Sequence, residues 1–237
     1  MSFNAYALPG GDSATPKPTQ YQGKKVWGVY VAGATFHIWS KAEVHALSAG
    51  GIEGVMPIVV PPQDREWWTE NHGYPTVEAL CRAAKMWGLP FGSPICLDIE
   101  EGQSSRMTNP RDVLRSWAVA CSVHHFRNWV YGSRSFLDNQ RYGFRWLAEW
   151  PQPTPVNPQL PRGFQGWQYK GQDLGIDHDL FEEGRTYLSP HLTLVTLPLP
   201  RQPRIAAVTS PASGPADRPP DTATDTASGA ALSQEGP

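Results

Sequence analysis

The stretch Pro94-Ile95-Cys96-Leu97-Asp98-Ile99-Glu100-Glu101-Gly102 sorts its apolar and acidic residues with a period of two. Successive side chains of a strand point to opposite sides, so Ile95, Leu97 and Ile99 share one face while Cys96, Asp98 and Glu100 share the other. The apolar face needs a layer of helices over it. The carboxylates fall at the C-terminal end, just before a glycine, which is where α/β barrels and open α/β sheets keep their chemistry.

Seven further segments read as strands. Phe3 to Leu8 is a short first one, followed by a Gly/Pro/Ser/Thr-rich loop through Gln22. Val26 to Ala32 alternates and is rich in β-branched and aromatic residues, and Gly54 to Val60 is apolar almost throughout, as a strand covered on both sides would be. Trp129 to Gly132, Phe144 to Trp150, Gly163 to Tyr169 and Gly175 to Phe181 complete the set.

Helix signals fall between them. Ser40-Lys41-Ala42-Glu43 is a capping box whose helix closes at Gly50-Gly51, and a second helix runs from about Thr76 to Trp87 before Gly88 and Pro90. Asn109-Pro110 launches a third carrying Val113, Leu114, Trp117 and Cys121, and a short one lies around Arg134 to Gln140. Alternating strands and helices argue for a parallel sheet, and eight strands argue for an α/β fold of the (β/α)8 TIM-barrel type with degenerate helices. A doubly wound open sheet is the alternative, but no G-x-G-x-x-G or P-loop spacing supports a nucleotide site on it.

The barrel is expected over residues 1–190. From about Pro198 the composition turns to Pro, Ala, Ser, Thr, Asp and Gly, and no aromatic residue follows Tyr187. Such a segment buries too little apolar surface to offset its ordering entropy, so 198–237 is expected to be a disordered tail.

Twenty Lys and Arg against 22 Asp and Glu, thinly spread, exclude a phosphate-binding surface and with it nucleic acid. Cys81, Cys96 and Cys121 are odd in number, lack C-x-x-C spacing and fall inside expected helices or strands, which makes them buried thiols rather than a disulfide frame or zinc site. Met-Ser-Phe-Asn-Ala-Tyr opens the chain without a signal peptide, and no stretch is apolar for long enough to span a bilayer. Synthesis and folding in the cytoplasm are expected.

Asp98 and Glu100 on one strand face stand roughly 6.5 to 7 Å apart. Glycoside hydrolysis uses two carboxyl groups at about such separations, one protonated and one ionised. In Gly175-Ile176-Asp177-His178-Asp179-Leu180-Phe181 the acids Asp177 and Asp179 again share a face, opposite His178. Two acidic strands in one barrel can converge on one pocket. A divalent metal could use the same carboxylates, though His178 points away from them. Trp129 with Tyr131, and Gln165 with Trp167 and Tyr169, share faces whose rings could stack on a sugar, and ten tryptophans supply more such rings than a core requires.

Taken together, Leu97-Asp98-Ile99-Glu100, Trp150, Gly166-Trp167-Gln168-Tyr169 and Gly175-Ile176-Asp177-His178-Asp179-Leu180-Phe181 resemble the D-x-E strand, W-Q-Y strand and terminal acidic strand of family 25 glycoside hydrolases. Val29-Tyr30-Val31-Ala32-Gly33, Tyr131-Gly132-Ser133 and Trp146-Leu147-Ala148-Glu149-Trp150 are similar to the related glycoside-hydrolase-like domain of actinobacteria and their phages. The resemblance spans about residues 1–185. It implies a β/α barrel that cuts the β-1,4 bond between N-acetylmuramic acid and N-acetylglucosamine. It makes Glu100 the general acid and Asp98 an orienting or stabilising group, acting with the substrate's acetamido group, and it places Asp177 and Asp179 on the floor. Tyr131 and Trp167 are then substrate-binding.

Family 25 places another aspartate at the end of strand one, and the matching position in Ser2-Phe3-Asn4-Ala5-Tyr6 is Asn4. An amide can hydrogen-bond an acetamide but cannot be an anionic partner. Two readings follow: a peptidoglycan glycosidase of lysozyme type, or a catalytically silent glycan-binding module of a phage virion or tail. A metal-dependent deacetylase or phosphoesterase lacks the histidines such sites use. The partner is peptidoglycan or a related glycan, within a virion or cell-wall assembly or reached after phage-mediated release. No cofactor and no metal are expected.

Overall fold

The computed structural model describes residues 7–14, 16, 21, 23–63, 66–141, 143–173, 176–182 and 185–197, with the side chains of 171–173 and 176 excepted. Asn4 and the segment from Pro198 lie outside them.

Eight strands close into a barrel: β1 (Ala7–Asp12), β2 (Val26–Gly33), β3 (Gly54–Val60), β4 (Pro94–Asp98), β5 (Arg127–Gly132), β6 (Phe144–Ala148), β7 (Gly166–Asp173) and β8 (Ile176–Glu182). Neighbours from β1 through β7 pair in parallel. β8 differs from the expected all-parallel pattern, because it runs antiparallel to both β7 and β1. A tight connection from Asp173 to Ile176 leaves no room for a crossover, so β8 must reverse. Its first residues consequently lie at the same end of the barrel as the last residues of β1 and β4.

Among the described residues five α-helices cover the outside: α1 (Lys41–Ala46), α2 (Tyr74–Trp87), α3 (Glu101–Ser104), α4 (Pro110–Val123) and α5 (Arg134–Leu137). The capping box forms at Ser40, whose hydroxyl accepts from the Glu43 amide while the Glu43 carboxylate accepts from the Ser40 amide at 2.7 Å. Gly88, left-handed at φ 106°, ends α2. α2 turns Val77, Leu80, Cys81 and Ala84 inward, and α4 turns in Val113, Leu114, Trp117 and Cys121. They join one core with the outward residues Ile95, Leu97 and Ile99 of the acidic strand, as the period-two pattern requires. All three cysteines are free thiols and buried.

A second core fills the barrel. Trp146 and Phe181 meet there edge to face with centroids 4.9 Å apart, as do Phe181 and Tyr187 at 6.1 Å, and Trp129 tilts against Tyr187. Such bulk fits because facing positions are bare. A methyl on Gly10 would lie 2.5 Å from the Phe181 ring, and one on Gly166 would lie 2.8 Å from Trp146. Of the strand expected over Phe3 to Leu8, residues 3–6 lie outside the described residues, Ala7 and Leu8 are in β1, and the strand runs on to Asp12. Pro9-Gly10-Gly11 reads as turn chemistry, yet Gly10 is bare to admit the Phe181 ring against a strand.

Two short strands beyond the eight were not expected. β9 (Thr186–Leu188) pairs antiparallel with β3 through Leu188 and Val55, and β10 (Leu194–Thr196) pairs with β9. Tyr187 of β9 is fully buried among the interior residues, with its hydroxyl donating to the Glu182 carbonyl at 2.7 Å. It closes the end of the barrel opposite the acids.

Candidate active site

The mouth at the C-terminal ends of the parallel strands gathers five carboxyl groups. Asp12 ends β1, Asp98 ends β4, Glu100 lies two residues beyond Asp98, and Asp177 and Asp179 open β8. Asp12 and Asp177 are direct cross-strand partners, and Asp179 lies opposite Gly10, one inward-facing position deeper. The geometry follows from alternation along three strands and the reversal of β8. Alternation along β2 turns Tyr30 to the same inner side as Val26 and Gly28, and the bulge at Val31, which has no counterpart in the register with β3, follows it.

Asp12, Asp98, Glu100 and Asp177 line a pit of about 40 Å³ together with Tyr30 and Tyr131. Asp12 and Asp98 are 4% and 6% exposed and Asp179 is fully buried, whereas Glu100 reaches solvent at the rim. A wider groove of about 530 Å³ runs from Glu100 and Tyr131 across the ends of β5 and β6 to Trp150. Glu100 is the carboxylate shared by pit and groove.

Gln168 organises one wall. Its Oε1 accepts from the Tyr131 hydroxyl at 2.5 Å and from Trp150 Nε1 at 3.1 Å, which directs its amide nitrogen to donate to Asp177. Asp179 receives Trp146 Nε1 on Oδ1 at 3.0 Å and shares a hydrogen bond with Asp12, while the Tyr30 hydroxyl reaches Asp12 at 3.5 Å. Two acids share a bond only when one holds the proton. Asp179, the more deeply buried, is the donor.

The cluster resists ionisation. Burial first, and then the charge of Asp177, pushes the Asp12 carboxyl up to about 7. Burial and Glu100 raise Asp177 to about 6, against the Gln168 hydrogen bond. Asp98 and Asp179 are held well above the usual carboxylate range, again by burial first and then by neighbouring acids. Partial burial lifts Glu100 as well. The Tyr30 and Tyr131 hydroxyls, buried beside these acids, are pushed up too and stay protonated donors. Among the described residues no group of three or more His, Cys, Asp or Glu has the arrangement to hold a metal ion.

Of the residues singled out from sequence, Glu100, Asp98, Asp177 and Tyr131 meet at the pit, and Asp179 lies beneath it. Trp167 does not join them. Alternation along β7 turns Gln168 inward and Trp167 outward, where its indole packs in the helix-side core and donates to the Glu149 carbonyl at 2.9 Å. His178 also faces out, toward Lys24 Nζ at 3.2 Å. Asp12 was not anticipated, and Tyr30, Trp146 and Gln168 stood only within the resemblance motifs, with no place in the site. The signal for Asp12 was the alternation Leu8, Gly10, Asp12, hidden by its glycines.

Gly28 is the small residue under the pit. A Cβ there would lie 2.6 Å from Asp12 Cβ and 2.8 Å from Ile58 Cδ1. Overpacking of this kind costs about 1–3 kcal/mol. Gly28→Ala is expected to unfold at lower urea by that amount, and an unchanged midpoint would show that Asp12 can yield without cost.

No protein-family model matches the sequence, and comparison with curated proteins by sequence gives no match. Solved structures do share its architecture. An uncharacterized B. stearothermophilus protein superposes with a TM-score of 0.56 at 17% identity, over 74% of this chain and 96% of its own. The spore cortex lytic enzyme SleM of Clostridium perfringens gives 0.52 at 13%, over 80% and 76%. The likeness is one of fold. The modular Cpl-1 endolysin, solved with a peptidoglycan analogue, gives 0.51 at 10% identity, over 80% of this chain and 64% of its own. The barrel fold is therefore one shared with proteins described as a spore cortex lytic enzyme and an endolysin.

Proposed function

We propose that the chain is a lysozyme-type glycoside hydrolase that cuts the glycan backbone of bacterial peptidoglycan, with Glu100 as general acid. The observation that carries this reading is the position of Glu100, a rim carboxyl lifted by partial burial, between an acid-lined pit and a groove open to solvent. The fold shared with SleM and the Cpl-1 endolysin supports it.

A glycan laid along the groove brings its linking oxygen to Glu100, which donates a proton as the bond to the anomeric carbon breaks. Positive charge grows on that carbon. Asp177, across the pit and raised only to about 6, presents negative charge to it, while Asp98, whose burial favours the neutral form, can orient the neighbouring acetamido group, whose oxygen closes on the same carbon. Tyr131 and Gln168 hold Asp177 in place. Asp12 and Asp179 share a proton below, so the pit keeps part of its charge without like charges driving it apart.

The binding-only alternative depended on Asn4 occupying the first-strand corner. Asp12 stands at the end of β1 and lines the pit, which supplies the carboxylate that reading lacked. Turbidity clearing and reducing-sugar release from purified walls test the proposal. Hydrolysis by the wild type is expected; sedimentation with walls in the absence of any hydrolysis would restore the binding module.

A further inference from the structure

We propose that the groove beside Glu100 binds one uncharged pyranose unit of the glycan, with the exposed indole of Trp150 as its stacking platform. This inference rests on the glycosidase reading of the mouth and names a subsite for it. Trp150 follows β6 and is 52% exposed, although burying an indole is worth more than burying almost any other side chain. It is also held in place, since its Nε1 donates at 3.1 Å to Gln168 Oε1. Gln168 is buried and takes the Tyr131 hydroxyl on the same oxygen, so the ring is anchored by its edge to the wall of the pit.

A fixed aromatic face lining a groove of about 530 Å³ suits a ring of similar width with apolar C–H faces and a polar rim. The charges of the groove select further. Its cation Arg134 is taken up by Glu149, which accepts from Nε at 3.2 Å and from Nη2 at 2.5 Å. Glu100, Glu101 and Asp138 line the same groove. A phosphate or a uronic acid would meet carboxylates and a neutralised guanidinium, whereas a neutral sugar can use the hydroxyls of Ser133 and Ser135.

The test uses Glu100→Gln as a non-hydrolysing background and the tetrasaccharide of β-1,4-linked N-acetylglucosamine as probe, titrated by calorimetry. Adding Trp150→Ala is expected to weaken binding about tenfold or more, while Trp150→Phe, which keeps a ring but loses the bond to Gln168, stays within about threefold. In the otherwise wild-type chain, Trp150→Ala is expected to raise KM on walls by more than Trp150→Phe does, while both variants lose the Nε1 bond to Gln168 and so share any change in kcat. Equal binding by Trp150→Ala and its parent would overturn the platform and leave the glycosidase standing. Equal losses for Phe and Ala would also overturn it, by assigning the effect to the hydrogen bond. If Glu100→Gln with Trp150 intact binds neither tetrasaccharide nor walls, and the wild type leaves walls uncut, the glycosidase reading fails and takes the subsite with it.

Discussion

Glu100→Gln is expected to lower the rate of wall hydrolysis by about 10² to 10⁴-fold, the usual contribution of a positioned general acid. The amide matches the carboxyl in shape but has no proton to give at the moment the linking oxygen leaves. Little else should change. Glu100 is exposed at the rim and its side chain supports no packing, so the folded state should lose less than about 0.5 kcal/mol, as for other surface substitutions. Clearing rates and thermal melts of the two proteins check both halves. Equal lysis by the two would move the acid elsewhere in the cluster, and Asp177, raised to about 6, would be the next to replace.

Asp12→Asn is expected to stabilise the protein while impairing it. The folded state holds the Asp12 proton up to about 7, against 3.8 for a free aspartate, so between those values the folded chain binds more protons than the unfolded chain. Stability from this group therefore falls as pH rises from about 4 to 7, and the cost is fully present above pH 7. At about 1.4 kcal/mol per pKa unit the cost at neutral pH is on the order of 4 kcal/mol. An asparagine carbonyl can still accept the proton of Asp179. The variant should melt several degrees above the wild type at pH 7.5, and the advantage should vanish near pH 4. Its hydrolysis should fall about tenfold or more, because one charge of the pit is gone. A melting difference that does not depend on pH would show that Asp12 is not held protonated by its surroundings.

Both predictions depend on a residue class the sequence displays unevenly. The acidic strand β4 was legible because its two faces differ in chemistry at every step, β3 from its nearly continuous apolar run, and α2 from the glycine and proline that close it. Strand β1 was not, since Pro9-Gly10-Gly11 carries local turn signals and the reason Gly10 is bare lies in the ring of Phe181, far along the chain. Trp167 was misplaced for a related cause. Period two tells which residues of a strand share a face, but not which face meets the barrel interior, and in β7 the interior residue is Gln168. The closing hairpin of β9 and β10 has no periodic signature at three residues per strand.

The most direct test of a glycan-cutting mouth centred on Glu100 is mass analysis of the soluble fragments released from purified peptidoglycan. Disaccharide-peptides bearing a new reducing N-acetylmuramic acid end are expected from the wild type and absent with Glu100→Gln. Intact glycan strands after exhaustive incubation, or the same fragments from both proteins, would contradict it.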